Sequence, residues 1–238
     1  MAAITEIHSV VSNKSSIELK GASFTLPVIR LLEADVDAIS RDLADKITEA
    51  PQFFENAPVV IDVRALRGKL TSVDLALLVG QLRRHRLIPV GISGGDDEQN
   101  EISTTMELAV LSQGARVSQR AAPRPVREPE DGTRLVVETV RSGQRVCAPN
   151  GDLIVLGSVS PGAELFAQGN VHIYGVLRGR ALAGIKGDQQ ARIFCQRLEA
   201  ELVSVAGNYR VSEDIDAGPR GRAVQIYLDD EKLIIEAL

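Results

Sequence analysis

Two kinds of hydrophobic patterning divide the chain. Over the first half, short strand-like runs alternate with helical stripes. Ile17-Glu18-Leu19-Lys20 alternates apolar and polar, and Phe24-Thr25-Leu26-Pro27-Val28-Ile29-Arg30-Leu31 follows beyond Gly21-Ala22, which predicts two strands joined by a tight turn. Pro27 has no N–H to give to a ladder, so the second strand is expected to have a free edge or a bulge there. Asp35 stands as an N-cap before Val36, Ile39, Leu43 and Ile47, one helical stripe that Pro51 stops. Pro58 to Val63 reads as a strand buried on both faces. Ser72 is the expected cap of a second helix, with Leu75, Leu78, Val79 and Leu82 on one side. Arg83, Arg84 and Arg86 fall near its C-terminal end, where cations complement the helix dipole. Leu87 to Ile92 is a further strand. A third helix is expected from Asp97 to Gln113, apolar at Ile102, Met106 and Val110 and closed by Gly114. Strands alternating with helices predict a small α/β domain.

The second half repeats instead. Asp152-Leu153-Ile154-Val155-Leu156-Gly157, Asn170-Val171-His172-Ile173-Tyr174-Gly175 and Gln190-Ala191-Arg192-Ile193-Phe194-Cys195 begin successive rows, 18 and then 20 residues apart. A period near ~20 residues in strand-type sequence predicts a solenoid whose rows must stack to bury their apolar faces. Glycines at 157, 162, 169, 175, 179, 184 and 187 fall where a coil turns a corner. The expected fold is a right-handed β-helix of roughly three coils. Arg134 to Val140 would lead into it, and Ala223 to Ala237 would cover its open end. Between the halves, Gln119 to Gly132 is rich in proline and charge and has little to bury. The expected organisation is an α/β domain over 1–117, a linker over 118–133 and the β-helix over 134–238.

Composition narrows the function. The 238 residues carry a net charge of −5, which gives no footing for sequence-independent nucleic-acid binding. Cys147 and Cys195 form neither a metal pattern nor a disulfide framework, as expected in a reducing cytoplasm. The sequence has no leader pattern and no apolar run that spans a bilayer. His8, His85 and His172 are isolated, and neither cysteine has a signalled base beside it, so no catalytic constellation is expected. Gly91-Ile92-Ser93-Gly94-Gly95 sits between strand and helix like a phosphate loop. It lacks both the P-loop Lys-Ser/Thr and the dinucleotide-fold glycine spacing. What remains is surface. Arg141-Ser142-Gly143-Gln144-Arg145 and Arg178-Gly179-Arg180 each flank a small turn with arginines, a solvated corner or a fork for carboxylates of a partner. An enzyme would need several His or carboxylates converging between rows. A structural β-helix that self-assembles into filaments is the alternative class.

These residues carry a resemblance. Arg141-Ser142-Gly143-Gln144-Arg145, Ala148-Pro149, Asp152-Leu153-Ile154-Val155, Gly162-Ala163-Glu164-Leu165, Gly169 to Gly175, Arg178 to Gly184 and Ile193-Phe194-Cys195 resemble the C-terminal domain of the MinC family of septum-site determinants. Glu18-Leu19-Lys20-Gly21, Ser23-Phe24-Thr25-Leu26, Asp45-Lys46-Ile47 and Ala57-Pro58-Val59-Val60 resemble its N-terminal domain. The sequence between Arg64 and Val110 fits less closely. The resemblance implies a cytoplasmic cell-division inhibitor without enzymatic activity or cofactor. It implies an N-terminal domain that antagonises FtsZ polymers, with Lys20 and Gly21 involved. It implies a C-terminal domain that forms the homodimer and binds MinD through Arg141, Ser142 and Gly143, with Gly162 and Gly169. Arg180 is implied in binding the acidic tail of FtsZ. The inner face of the membrane would be reached through MinD and not by insertion.

Overall fold

The computed structural model describes residues 25–111 and 132–238. The expected strand at Ile17–Lys20, the turn with Lys20 and Gly21, and most of the linker lie outside them. The first unit runs β1 (Val28–Arg30), α1 (Val36–Glu49), α2 (Pro51–Phe54), β2 (Pro58–Asp62), α3 (Ser72–Arg84), β3 (Ile88–Ser93), α4 (Asp97–Thr105) and β4 (Ala109–Leu111). Among the described residues its sheet has the order β1-β2-β3-β4, every pairing parallel. The Asp35 carboxylate accepts from the N–H groups of Asp37 and Ala38 and starts α1 as expected. Val59, Val60, Ile61 and Asp62 are buried, as the continuous run of β2 implied.

Three local expectations shift. β1 begins only past Pro27, whose carbonyl accepts from Val60 N at 3.0 Å. α3 is capped by Thr71, one residue earlier than expected. Thr71 Oγ1 accepts from Asp74 N, and the Asp74 carboxylate accepts from Thr71 N. The third helix stops at Thr105, well short of Gln113. Glu107 takes a positive φ of 63°, and Ala109–Leu111 becomes an edge strand paired with Gly91–Ser93. Val110 therefore belongs to β4, where pairing with β3 outweighs continuation of the helical stripe.

The second unit runs β5 (Arg134–Val136), β6 (Arg145–Ala148), β7 (Leu153–Val155), β8 (Glu164–Ala167), β9 (Val171–Leu177), β10 (Arg180–Ala183), β11 (Ile193–Leu198), β12 (Leu202–Val205), β13 (Asn208–Val211), β14 (Val224–Asp229) and β15 (Lys232–Ala237). Successive coils pair in parallel in two sheets, β6-β8-β10-β12 and β5-β7-β9-β11. The three expected rows are β7, β9 and β11, with Leu153, Val171 and Ile193 in register. Bridges Val140–Val159–Leu177 mark a third, barely hydrogen-bonded side. Inward residues such as Leu153, Leu165, Val171, Ala181, Ile193 and Val203 form an aliphatic core. The tail adds β14 antiparallel to β11 and β15 beyond it, while β13 closes the other sheet. Asp152 and Asn170 make a polar rung inside this stack. Asp152 Oδ1 accepts from Asn170 N at 2.7 Å, and Asn170 Oδ1 accepts from Arg192 N at 2.8 Å.

Two apolar outer faces result. Leu135, Ile154, His172 and Phe194 line up across β5, β7, β9 and β11, and Leu135, Val137, Leu156 and Tyr174 on that side are exposed. The opposite sheet presents Phe166, Leu182 and Leu202, all buried, because they share one core with α3 and the first unit. α3 is apolar on both sides for this reason. Leu75, Leu78, Val79 and Leu82 are the stripe read from the sequence. Val73, Gly80, Gln81 and Arg84 meet the solenoid, and Leu77 shares their helical spacing. Polar links rim the contact. Gln81 Nε2 donates to Gly207 O at 2.8 Å, Arg83 to the carbonyl of Ile185, and Arg84 to Asn208 and Glu231. Lys186 bonds Glu107, and the Tyr209 hydroxyl donates to Asp37.

Candidate interaction site on the solenoid

The turn Arg141–Gln144 precedes β6 and stacks on the next coil. Gly143 N donates to Gly162 O at 3.0 Å, and both glycines have positive φ, 76° and 72°. A left-handed backbone of this kind favours glycine. The Gln144 side chain accepts from Arg141 N at 2.7 Å and closes the turn. Arg141, Ser142 and Gly143 are exposed. Open space surrounds the Cα of Gly143, whereas a Cβ at Gly162 would lie 2.9 Å from Ser142 Oγ. Gly162 therefore supports the turn, and Gly143 forms its open tip. A groove of about 420 Å³ runs beside it, lined by Arg134, Glu138, Arg141 and Gln144 among others.

Gly169 is not part of this cluster. It lies at another corner, where its N–H donates to Gly151 O and its carbonyl accepts from Gly184 N. A Cβ there would overlap Asp152 Oδ1, the acceptor of the polar rung.

Arg180 differs from the outward-pointing corner arginine that the sequence suggested. It opens β10, in register with Glu164 of β8 and Leu202 of β12. Its side chain stands on the sheet beside its cross-strand neighbours. The guanidinium donates to Glu201 at 3.2 Å and to Glu164 at 3.3 Å. Arg145, in the same register row, donates to Glu164 at 3.1 Å and across to Glu98 of α4 at 2.6 Å. Glu98 also accepts from the Ser72 hydroxyl at 2.6 Å. Burial works against the Arg145 charge, and the bonds to Glu98 and Glu164 outweigh it, so its pKa is raised. The Ser72 hydroxyl and then Arg145 hold the Glu98 carboxyl below its usual range. Arg178 pairs with Glu199 at 2.9 Å.

Burial raises the Cys147 thiol to about 11 and the Cys195 thiol to about 12, the reverse of what a nucleophile needs. His172 stacks on Phe194 with ring centroids 4.8 Å apart. Among the described residues no cluster of His, Cys, Asp and Glu could hold a metal ion, and no helix is long and apolar enough to cross a membrane. Sequence reasoning missed the second face of α3. Gly80 was its signal, because an interior helix glycine lowers helix stability by about 1 kcal/mol unless another backbone must come close.

Comparison with known proteins gives the same direction for both units. Residues 134–238 match the family described as septum formation inhibitor MinC, C-terminal domain, and residues 17–89 match the corresponding N-terminal domain. The chain is 41% identical to a probable septum site-determining protein MinC of Marinobacter nauticus, over 97% of each chain. It is 45% identical to the protein of that description from Proteus mirabilis, over 95% of this chain and 99% of the relative. A chain from the MinC:MinD cell division protein complex of Aquifex aeolicus is similar at 30% identity with a TM-score of 0.41, over 44% of this chain and 86% of that one. With both domains matched and near full-length similarity on each side, the chain belongs to the MinC family of septum formation inhibitors.

Proposed function

We propose that the chain inhibits misplaced septum formation by antagonising FtsZ polymers, and that MinD brings it to the membrane. The α/β domain, 1–117, is the inhibitory part, with Lys20 and Gly21 contributing. The linker is 118–133, and the solenoid, 134–238, carries MinD binding and dimer formation. The MinD site is Arg141, Ser142 and Gly143, with Gly162 under that turn and Gly169 at another corner of the coil. Arg180 engages the acidic tail of FtsZ. The protein is a cytoplasmic adaptor without catalytic activity or cofactor, has no nucleic-acid partner and does not insert in the bilayer. The observation that supports the partner site best is the exposed Arg141–Gly143 turn seated on Gly162.

The exposed side chains of Leu135, Val137, Leu156 and Tyr174 support dimer formation, since an apolar face of this kind pairs most simply with its own copy about a two-fold axis. The solenoid is read as right-handed, the hand that crossovers between parallel strands of one sheet take.

Sedimentation of FtsZ polymers tests the inhibitory role. The full chain at equimolar concentration is expected to reduce the pelleted FtsZ. An unchanged pellet with both proteins folded contradicts it.

A further inference from the structure

We propose that the docked α/β domain is an autoinhibitory contact over the Arg180 site, so that docking and the capture of an acidic, partly apolar peptide exclude each other. The proposal rests on the reading of Arg180 as a peptide contact and adds its regulation.

In the docked chain, both arginines of the sheet row are already taken by the protein's own carboxylates. Arg180 lies between Glu164 and Glu201. Arg145 lies between Glu164 and Glu98 of α4. A groove of about 400 Å³ holds Arg180, Glu201 and Leu202 on one wall and Thr71, Val73 and Asp74 of the docked domain on the other. An acidic peptide entering there meets Asp74 and Glu213 as well. Phe166, Leu182 and Leu202, the apolar residues beside the arginines, are covered by the docked domain. Undocking removes Glu98 and Asp74 and uncovers that apolar row. The result is a strip with arginines at one edge and aliphatic and aromatic side chains along it, complementary to a peptide of alternating acidic and apolar residues. A ligand that binds only the open chain is weakened by the fraction of chain that is closed.

Gly80→Ala separates docking from folding. The added Cβ would lie 2.5 Å from Gly207 Cα, against solenoid backbone. Within α3 itself alanine is a better helix former than glycine. Opening is read by small-angle scattering on the full chain and by alkylation of Cys147, which packs against the shared core and should react faster when uncovered. Binding is read by fluorescence anisotropy with a synthetic peptide of aspartate and leucine. The expected result is a larger radius of gyration, faster Cys147 alkylation and peptide affinity about tenfold higher or more. Opening with unchanged affinity in both proteins overturns the autoinhibition and leaves the Arg180 reading standing. Opening with no peptide binding by either protein removes the Arg180 reading and the autoinhibition with it. A variant that stays as compact as the parent, with α3 more stable, overturns the docking.

Discussion

Gly80 of α3 and Gly207, between β12 and β13, meet backbone to backbone. A Cβ on Gly80 would lie 2.5 Å from Gly207 Cα, and one on Gly207 would lie 2.6 Å from Gly80 Cα. The two substitutions are nonetheless unequal. Gly207 has φ of 86°, so alanine there is strained in its own turn, while Gly80 is an ordinary helical position. Gly207→Ala is predicted to lower the stability of the chain by about 1 kcal/mol or more. Gly80→Ala should leave the solenoid as stable as before and make α3 itself more stable. Denaturant unfolding followed by circular dichroism compares them, and equal losses would contradict the assignment of strain to Gly207 alone.

Gly169→Ala tests whether this corner glycine contacts a partner or holds the coil. The added carbon displaces Asp152 Oδ1 from Asn170 N, which breaks a half-buried hydrogen bond. A loss of about 1–3 kcal/mol is expected. Replacing Asp152 with alanine as well should cost little further stability, because the two changes remove the same bond. Additive losses in the double variant would contradict this explanation.

Much of the first unit was legible because its signals are local. Asp35 before a stripe, Pro51 after it and the apolar run of β2 act within a few residues of themselves. β4 was not legible, because Ala109–Leu111 becomes a strand only through its pairing with Gly91–Ser93. The rows of the solenoid could be read from their period, whereas the stacking of the Gly143 turn on Gly162 is seen only in the structure. The charge row Arg145–Glu164–Arg180 depends on the register of the second sheet, which the row period alone does not give. Docking was the least legible feature. Its trace was an interior glycine in a helix apolar on both sides, and the stripe of Leu75, Leu78, Val79 and Leu82 explained only one of them.

Docking should weaken on acidification before the fold does. Glu98, Glu107 and Glu231 all bridge the units, and their pKa values are lowered from the ordinary 4.5. Ser72 and Arg145 are the cause at Glu98, Lys186 at Glu107 and Arg84 at Glu231. A carboxyl with a lowered pKa in the docked chain contributes above 4.5, and its contribution is lost as pH falls through the lowered value. Buried Asp62 is held lower still by Arg64 and Arg30, so the link within the α/β domain outlasts those between the units. The radius of gyration should therefore rise over the acid interval below 4.5 while the circular dichroism persists. A constant radius across that interval contradicts the ionic contribution to docking.

Recruitment to a membrane is the most direct test of the partner site. The guanidinium of Arg141 is exposed, and its backbone N–H holds the turn through Gln144, so Arg141→Ala should leave the fold and its stability unchanged. The measurement is co-sedimentation of the full chain with liposomes carrying MinD and ATP, the parent beside Arg141→Ala. ATP-dependent pelleting of the parent, reduced at least tenfold in the variant, is the expected result, a change of about 1.4 kcal/mol or more in binding. Equal pelleting of the two proteins, or no pelleting of the parent, contradicts the placement of the MinD contact on the Arg141–Gly143 turn.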